Sequence, residues 1–159
     1  MKMEQQNGVK AKLEDGHERF IFAGNAYFSL KSLKTGTHYT YRVSRAFDEK
    51  KDAESGEVTK IYKDLWFVSL LTGPDNWENY TYIGICDANH DFKTTAKSRL
   101  PREAAPIQGF IYTIRNLRET GTPGGVEVWH SGKCGRCGRM LTVPESVASG
   151  FGPECIGKL

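Results

Sequence analysis

Three of the chain's four cysteines fall in one short C-terminal stretch, and their spacing limits what that stretch can become. Two residues separate Cys134 from Cys137, and seventeen more separate Cys137 from Cys155. A C-x-x-C turn folds the backbone back towards its own sulfurs, so two thiolates can converge on one ion. Tetrahedral zinc takes four such ligands. The fourth candidate is His130, three intervening residues before Cys134, which completes the pattern H-x3-C-x2-C-x17-C.

Other uses of the pattern have less behind them. A redox C-x-x-C sits at the strand-to-helix junction of a thioredoxin-like unit. Here Gly135 and Gly138 surround the motif and no βαβ pattern precedes it. A disulfide scaffold needs a denser set than four cysteines in 159 residues, and the polar start Met1-Lys-Met-Glu-Gln-Gln-Asn has no secretory character. Structural zinc is therefore the expectation, held by His130, Cys134, Cys137 and Cys155. For His130 the alternative is an ordinary surface histidine, with the fourth ligand supplied from elsewhere.

The same stretch carries a resemblance. It reads Cys134-Gly-Arg-Cys137-Gly-Arg139-Met-Leu141-Thr142, then Pro144-Glu-Ser146, then Gly150-Phe-Gly152-Pro153-Glu-Cys155. This resembles a small zinc-binding domain of unknown function common in bacteriophage and plasmid proteins, with the pattern C-x2-C-G-R-x-L-T, S, G-x-G-P-x-C. The likeness spans residues 130–155. It implies a bound metal and an origin in a mobile element, and it implies no reaction.

Charge divides the chain. Residues 1–92 hold 12 basic and 14 acidic side chains, whereas residues 93–159 hold 10 and 5. The C-terminal portion is thus the expected contact for a polyanion. No apolar run approaches the ~20 residues of a membrane span. The expected setting is the reducing cytoplasm, that of the host if a phage encodes the protein.

Ahead of the cysteines the patterning is mostly of period two. Residues 1–17 are polar and read as a flexible tail or a short edge element. From Arg19 to Lys31, Ala26, Phe28 and Leu30 alternate with Tyr27 and Ser29. Lys34-Thr35-Gly36 turns into a second strand through Tyr39, Tyr41 and Val43. The charged run 48–57 reads as a solvated hairpin loop. Leu65–Leu71 is continuously apolar and reads as a strand buried on both faces. Gly73-Pro74-Asp75-Asn76 is a turn, Tyr80–Cys86 a fourth strand and Phe92–Thr95 a fifth. Cys86, alone among apolar residues, reads as a small buried hydrophobe.

Over residues 101–120 the period changes. Ile107, Phe110, Ile111, Ile114 and Leu117 form the apolar stripe of a helix, with Pro106 in its first turn and Gly121 at its stop. Thr122-Pro-Gly-Gly125 then reads as a linker, and Val126–His130 as a strand leading into the metal segment. Thr142 is placed to cap a short helix from Pro144 to near Gly150, and Pro153 starts a last turn carrying Cys155. A helix N-terminus favours negative charge and so a thiolate.

The expected architecture is α+β. An antiparallel sheet of about five strands and one amphipathic helix make a body at 18–121, and a zinc-knuckle or treble-clef-like module occupies 126–159. No phosphate-cradling glycine loop, G-x-S-x-G or H-E-x-x-H is present. Tyr82-Ile83-Gly84 lacks the paired upstream strand of a GIY-YIG nuclease. His90 reads as a solvated turn residue. The expectation is a non-enzymatic mobile-element accessory protein that binds nucleic acid, single-stranded DNA favoured, with Lys133, Arg136, Arg139, Arg115 and Arg118 as contacts. The alternative is a protein-binding inhibitor of a host defence complex. Tyr39, Tyr41, Tyr80 and Tyr82 are either stacking surface or cross-strand packing.

Overall fold

A computed structural model describes residues 11–74, 78–141 and 144–156. Its sheet begins where alternation begins. Strand β2, Asn25–Ser32, buries Ala26, Phe28 and Leu30 on one face. It pairs antiparallel with β3, His38–Lys51, so that Phe28 faces Tyr41 and Leu30 faces Tyr39. Gly36, at φ +77°, closes the turn between them. The segment before β2 is not extended as expected. His17–Ile21 is a helical turn, α1, because His17, Phe20 and Ile21 recur at i, i+3 and i+4 and all three are buried.

Strand β4, Val58–Leu71, is as long as β3 and pairs with it along its length, apart from a register shift between Arg45 and Phe47. The charged run is therefore mostly strand at its start, and the loop is confined to 52–57. There the Asp52 carboxylate accepts the N–H groups of Glu54 and Ser55. Ladder bonds are made by the backbone, so charged residues extend a hairpin wherever neither face needs burial. Glu49 faces Lys60, and Lys63 lies 3.3 Å from Asp48. Leu65–Leu71 also differs from expectation. Trp66, Val68 and Leu70 are buried while Phe67 is 41% exposed, so only one face of this strand is covered.

Strands β5 (Tyr80–Cys86) and β6 (Phe92–Lys93) continue the antiparallel order. Helix α2, Ala105–Thr120, lays Ile107, Phe110, Ile114 and Leu117 on the buried face and stops at Gly121, φ +78°. The Tyr41 hydroxyl donates to the Pro106 carbonyl at 2.7 Å and ties the helix start to β3.

Among the described residues the sheet has seven strands rather than about five, in the order β1 (Ala11–Lys12), β7 (Val126–His130), β2, β3, β4, β5, β6. The additional two are β1 and β7, which lies hydrogen-bonded between β1 and β2. Part of the expected N-terminal tail is thus an edge strand; residues 1–10 lie outside those described. Thr122–Gly125 does not separate two bodies, because the strand after it is interior to the sheet. Cys134, Leu141, Phe151 and Cys155 join the same apolar core as Phe20, Phe28 and Phe110. Two short helices close the described chain, α3 at Pro144–Ser149 and α4 at Pro153–Ile156. The expected cap Thr142 and the turn residues Asp75 and Asn76 fall outside the described residues.

The sheet curls into a half-barrel. Tyr27 on β2 and Tyr80 on β5 approach to 5.7 Å between ring centroids across two intervening strands. In a flat sheet those strands would stand roughly 14 Å apart. Helix α2 covers the outer face; the inner face carries Tyr27, Arg42, Tyr80, Tyr82 and Trp129.

Candidate metal centre

The metal segment is built as a tight hairpin beyond β7. Lys133 bridges Met140, the Cys134 N–H donates to the Arg139 carbonyl at 2.8 Å, and Gly138 N–H returns to the Cys134 carbonyl at 2.9 Å. Gly138 has φ +80°, and a Cβ there would come within 2.6 Å of the Asn25 amide. Glycine is the residue that permits this turn against β2. The hairpin aims backbone N–H groups at sulfur, those of Arg136 and Cys137 lying 3.4 and 3.5 Å from Cys134 Sγ.

Helix α4 brings the third cysteine. The sulfurs of Cys134, Cys137 and Cys155 all lie within 4.8 Å of one another, close enough to share one ion. Cys134 and Cys155 are buried and Cys137 is exposed. Burial pushes the Cys134 thiol up, but N–H groups from Cys137, Gly152 and Arg136 outweigh it and hold the thiol below its ordinary range. Cys137 is pushed up to about 11, by burial first and then by the two neighbouring sulfurs. Three sulfurs this close resist sharing negative charge, which a divalent cation would relieve. The donor set thus fits a thiophilic metal.

His130 is not brought to this group. It is fully buried with its ring 5.9 Å from that of Phe20. Its Nδ1 accepts the Gly132 N–H at 3.0 Å, so Nε2 is the protonated nitrogen and donates to the Val147 carbonyl at 2.5 Å. Burial holds its pKa below the ordinary histidine value, offset in part by the Val147 bond. Both nitrogens are spent, Nε2 on fastening β7 to α3 and Nδ1 on holding the turn at Gly132. Among the described residues no fourth histidine, cysteine or carboxylate joins the three sulfurs.

The five expected basic contacts divide between faces. Lys133 projects onto the inner sheet face, its Nζ 5.0 Å from the Tyr27 ring centre. Arg136 donates to Cys155 Sγ at 3.6 Å, and Arg139 lines a 530 Å³ hollow beside the cysteines. Arg115 and Arg118 lie on α2, on the other side of the sheet, where Arg118 is bonded to Asp91.

Sequence reasoning missed Arg42. Its guanidinium lies 5.3 Å from the same Tyr27 ring, and its Nε is buried with no hydrogen-bond partner among the described residues. Burial, and then Arg42 beside it, hold Lys133 below the ordinary lysine range. Two cations thus share one aromatic ring on a concave surface. The available signal was the register of Arg42 opposite Tyr27, which shows only once the hairpin is paired.

Residues 128–159 match DUF6011, a family of unknown function. The DUF6011 segment takes in the end of β7, all three clustered cysteines and both short helices. No curated protein and no solved structure matches the chain. Among the described residues no helix is long and apolar enough to cross a membrane.

Proposed function

We propose that the protein binds nucleic acid on the inner face of its half-barrel, with single-stranded DNA favoured, and that a zinc ion in the DUF6011 segment holds part of that face in place. The observation that carries this reading is the pairing of Arg42 and Lys133 over Tyr27. Two cations pressed together and partly dehydrated gain from a phosphate between them. Beside them Tyr80 and Tyr82 are half-buried, and Phe67 and Trp129 are exposed enough for bases to stack on. A concave sheet of this width suits a flexible strand better than a rigid duplex.

Zinc is the metal this donor set favours, since three thiolates are soft ligands and tetrahedral sulfur sites select it. Cys134, Cys137 and Cys155 would hold it, giving a zinc knuckle with a treble-clef-like pair of helices. The ion's contribution is a cross-link between the hairpin and α4. Lys133 is next to Cys134, so the cross-link also fixes where its backbone lies. The non-enzymatic reading and the mobile-element origin rest on the resemblance of residues 130–155 and on the catalytic motifs missing from the sequence.

A second reading has an observation of its own. The β3–β4 hairpin leaves Phe47, Val58, Ile61 and Tyr62 exposed, which suits docking on a protein such as a host defence complex. Titration of labelled single strands and duplex at two salt concentrations separates the readings. Strand binding that weakens steeply with salt supports the first; no binding at low salt overturns it.

A further inference from the structure

The β5–β6 turn residue His90 is half-buried and held by partners rather than simply solvated. It has φ +65°, the one non-glycine residue with positive φ among those described. Its ring stacks on Phe22 at 3.7 Å and 9°, and stands edge-on to Trp66 at 5.0 Å. Its Nδ1 lies 2.7 Å from Glu18 Oε2. A strained backbone, a stacked ring and a carboxylate together hold one imidazole in one orientation, and strain of this kind persists where the surroundings over-determine it. With Nδ1–H committed to Glu18, Nε2 is left with no hydrogen-bond partner among the described residues.

The cleft of 480 Å³ beside His90 is lined by three arginines from three separate elements. Arg19 comes from α1, Arg45 from the irregularity in β3, and Arg136 from the knuckle between Cys134 and Cys137. Arg45 is partly neutralised, bonding Asp64 at 2.8 Å and the Lys63 carbonyl at 2.7 Å, with its guanidinium over Trp66. Arg136 uses Nη1 on Cys155 Sγ. Arg19 lies over the Phe151 ring and makes no hydrogen bond among the described residues. Each guanidinium has five N–H donors, so most remain for a ligand. Among the described residues the one carboxylate lining the cleft is that of Glu18, whose Oε2 meets His90.

We infer that this cleft is a phosphate site, taking a terminal phosphate monoester or free phosphate on Arg19, Arg45 and Arg136, with the His90 ring forming part of its wall. Guanidinium forks arriving from several directions match an oxyanion with three free oxygens better than a planar carboxylate. The site is separate from the inner face. Arg42 and Arg45 are three residues apart on β3 and so point to opposite sides of the sheet.

The test follows the side-chain signals of His90 and the arginines by nuclear magnetic resonance. Inorganic phosphate is added against chloride at equal ionic strength. Saturable shifts at His90 and Arg19, weakened roughly tenfold in Arg19→Gln and in Arg45→Gln, support the site. Shifts that do not saturate, that chloride reproduces, or that persist unchanged in both folded variants overturn it. Oligonucleotides with a 5′-phosphate or a 5′-hydroxyl identify the source. Tighter binding of the phosphorylated strand at His90 points to a strand end, and equal affinity with inorganic phosphate points to a small ligand. Lys133→Ala reports on the inner face alone and leaves phosphate binding at His90 unchanged.

Discussion

The Tyr27 and Tyr80 rings meet edge to face at 5.7 Å although β3 and β4 lie between their strands. Sheet twist accumulates with each strand, and here it draws two side chains together over a distance a flat sheet could not close. The contact makes the inner face a trough with aromatic walls and Arg42 and Lys133 at one of them. A trough of that kind yields predictions that a flat basic surface would not.

Lys133→Ala and Arg42→Ala should each weaken single-strand binding about tenfold and lower the salt slope by about one. Arg115→Ala, on the outer helix, should do neither. Fluorescence anisotropy at several salt concentrations measures both quantities. Equal effects of Arg115→Ala and Lys133→Ala would move the contact off the inner face.

Elemental analysis should find about one zinc per chain. Cys137→Ser changes the exposed cysteine of the three and should abolish metal uptake without opening a core cavity. Chelation should lower the melting temperature of the sheet together with that of the metal segment, because Cys134, Phe151 and Cys155 pack in the same core as Phe20. Two separate thermal transitions would show that the segment is energetically independent.

Gly150 and Gly135 both back onto Phe20. A Cβ at Gly150 would lie 2.6 Å from that ring, and one at Gly135 2.7 Å. Gly150→Ala adds strain at φ +80° and should cost about 2–4 kcal/mol in denaturant unfolding. Gly152→Ala is two residues away with nothing near its Cβ position, and should cost far less.

The folded-state pKa of His130 is held below its ordinary value of 6.5, chiefly by burial. Between those two values the unfolded chain binds a proton that the folded chain does not. Stability from this group is therefore full above about pH 6.5 and falls as pH drops towards the folded pKa. His130→Gln should flatten that part of the stability profile, read as the difference between the two denaturation series. An unchanged slope would show that another group sets it.

Local spacing made the cysteines legible, since two residues between Cys134 and Cys137 already dictate a turn. The strands at Tyr80 and Phe92 and the helix of Ile107–Leu117 were legible for the same reason, each having a period of its own. His130 was misplaced because its use is decided by the Val147 carbonyl, which α3 delivers from seventeen residues away. His90 looked solvated because its partner Glu18 is 72 residues distant. The charged hairpin was shortened because hydrophobic patterning is silent where neither face of a strand is buried. For both histidines the deciding partner came from another element that local patterning does not reveal.

Strand β7 has a consequence in time. Ser32 pairs with Val126 although ninety-three residues lie between them, and among the described residues β1 pairs with β7 alone. While the chain is being made, one whole edge of β2 waits without its neighbour, an open template for pairing with another chain. The strand that closes this edge is followed directly by the three cysteines. Closing the sheet and gathering the three cysteines are thus adjacent events, and both wait until the rest of the sheet has been made.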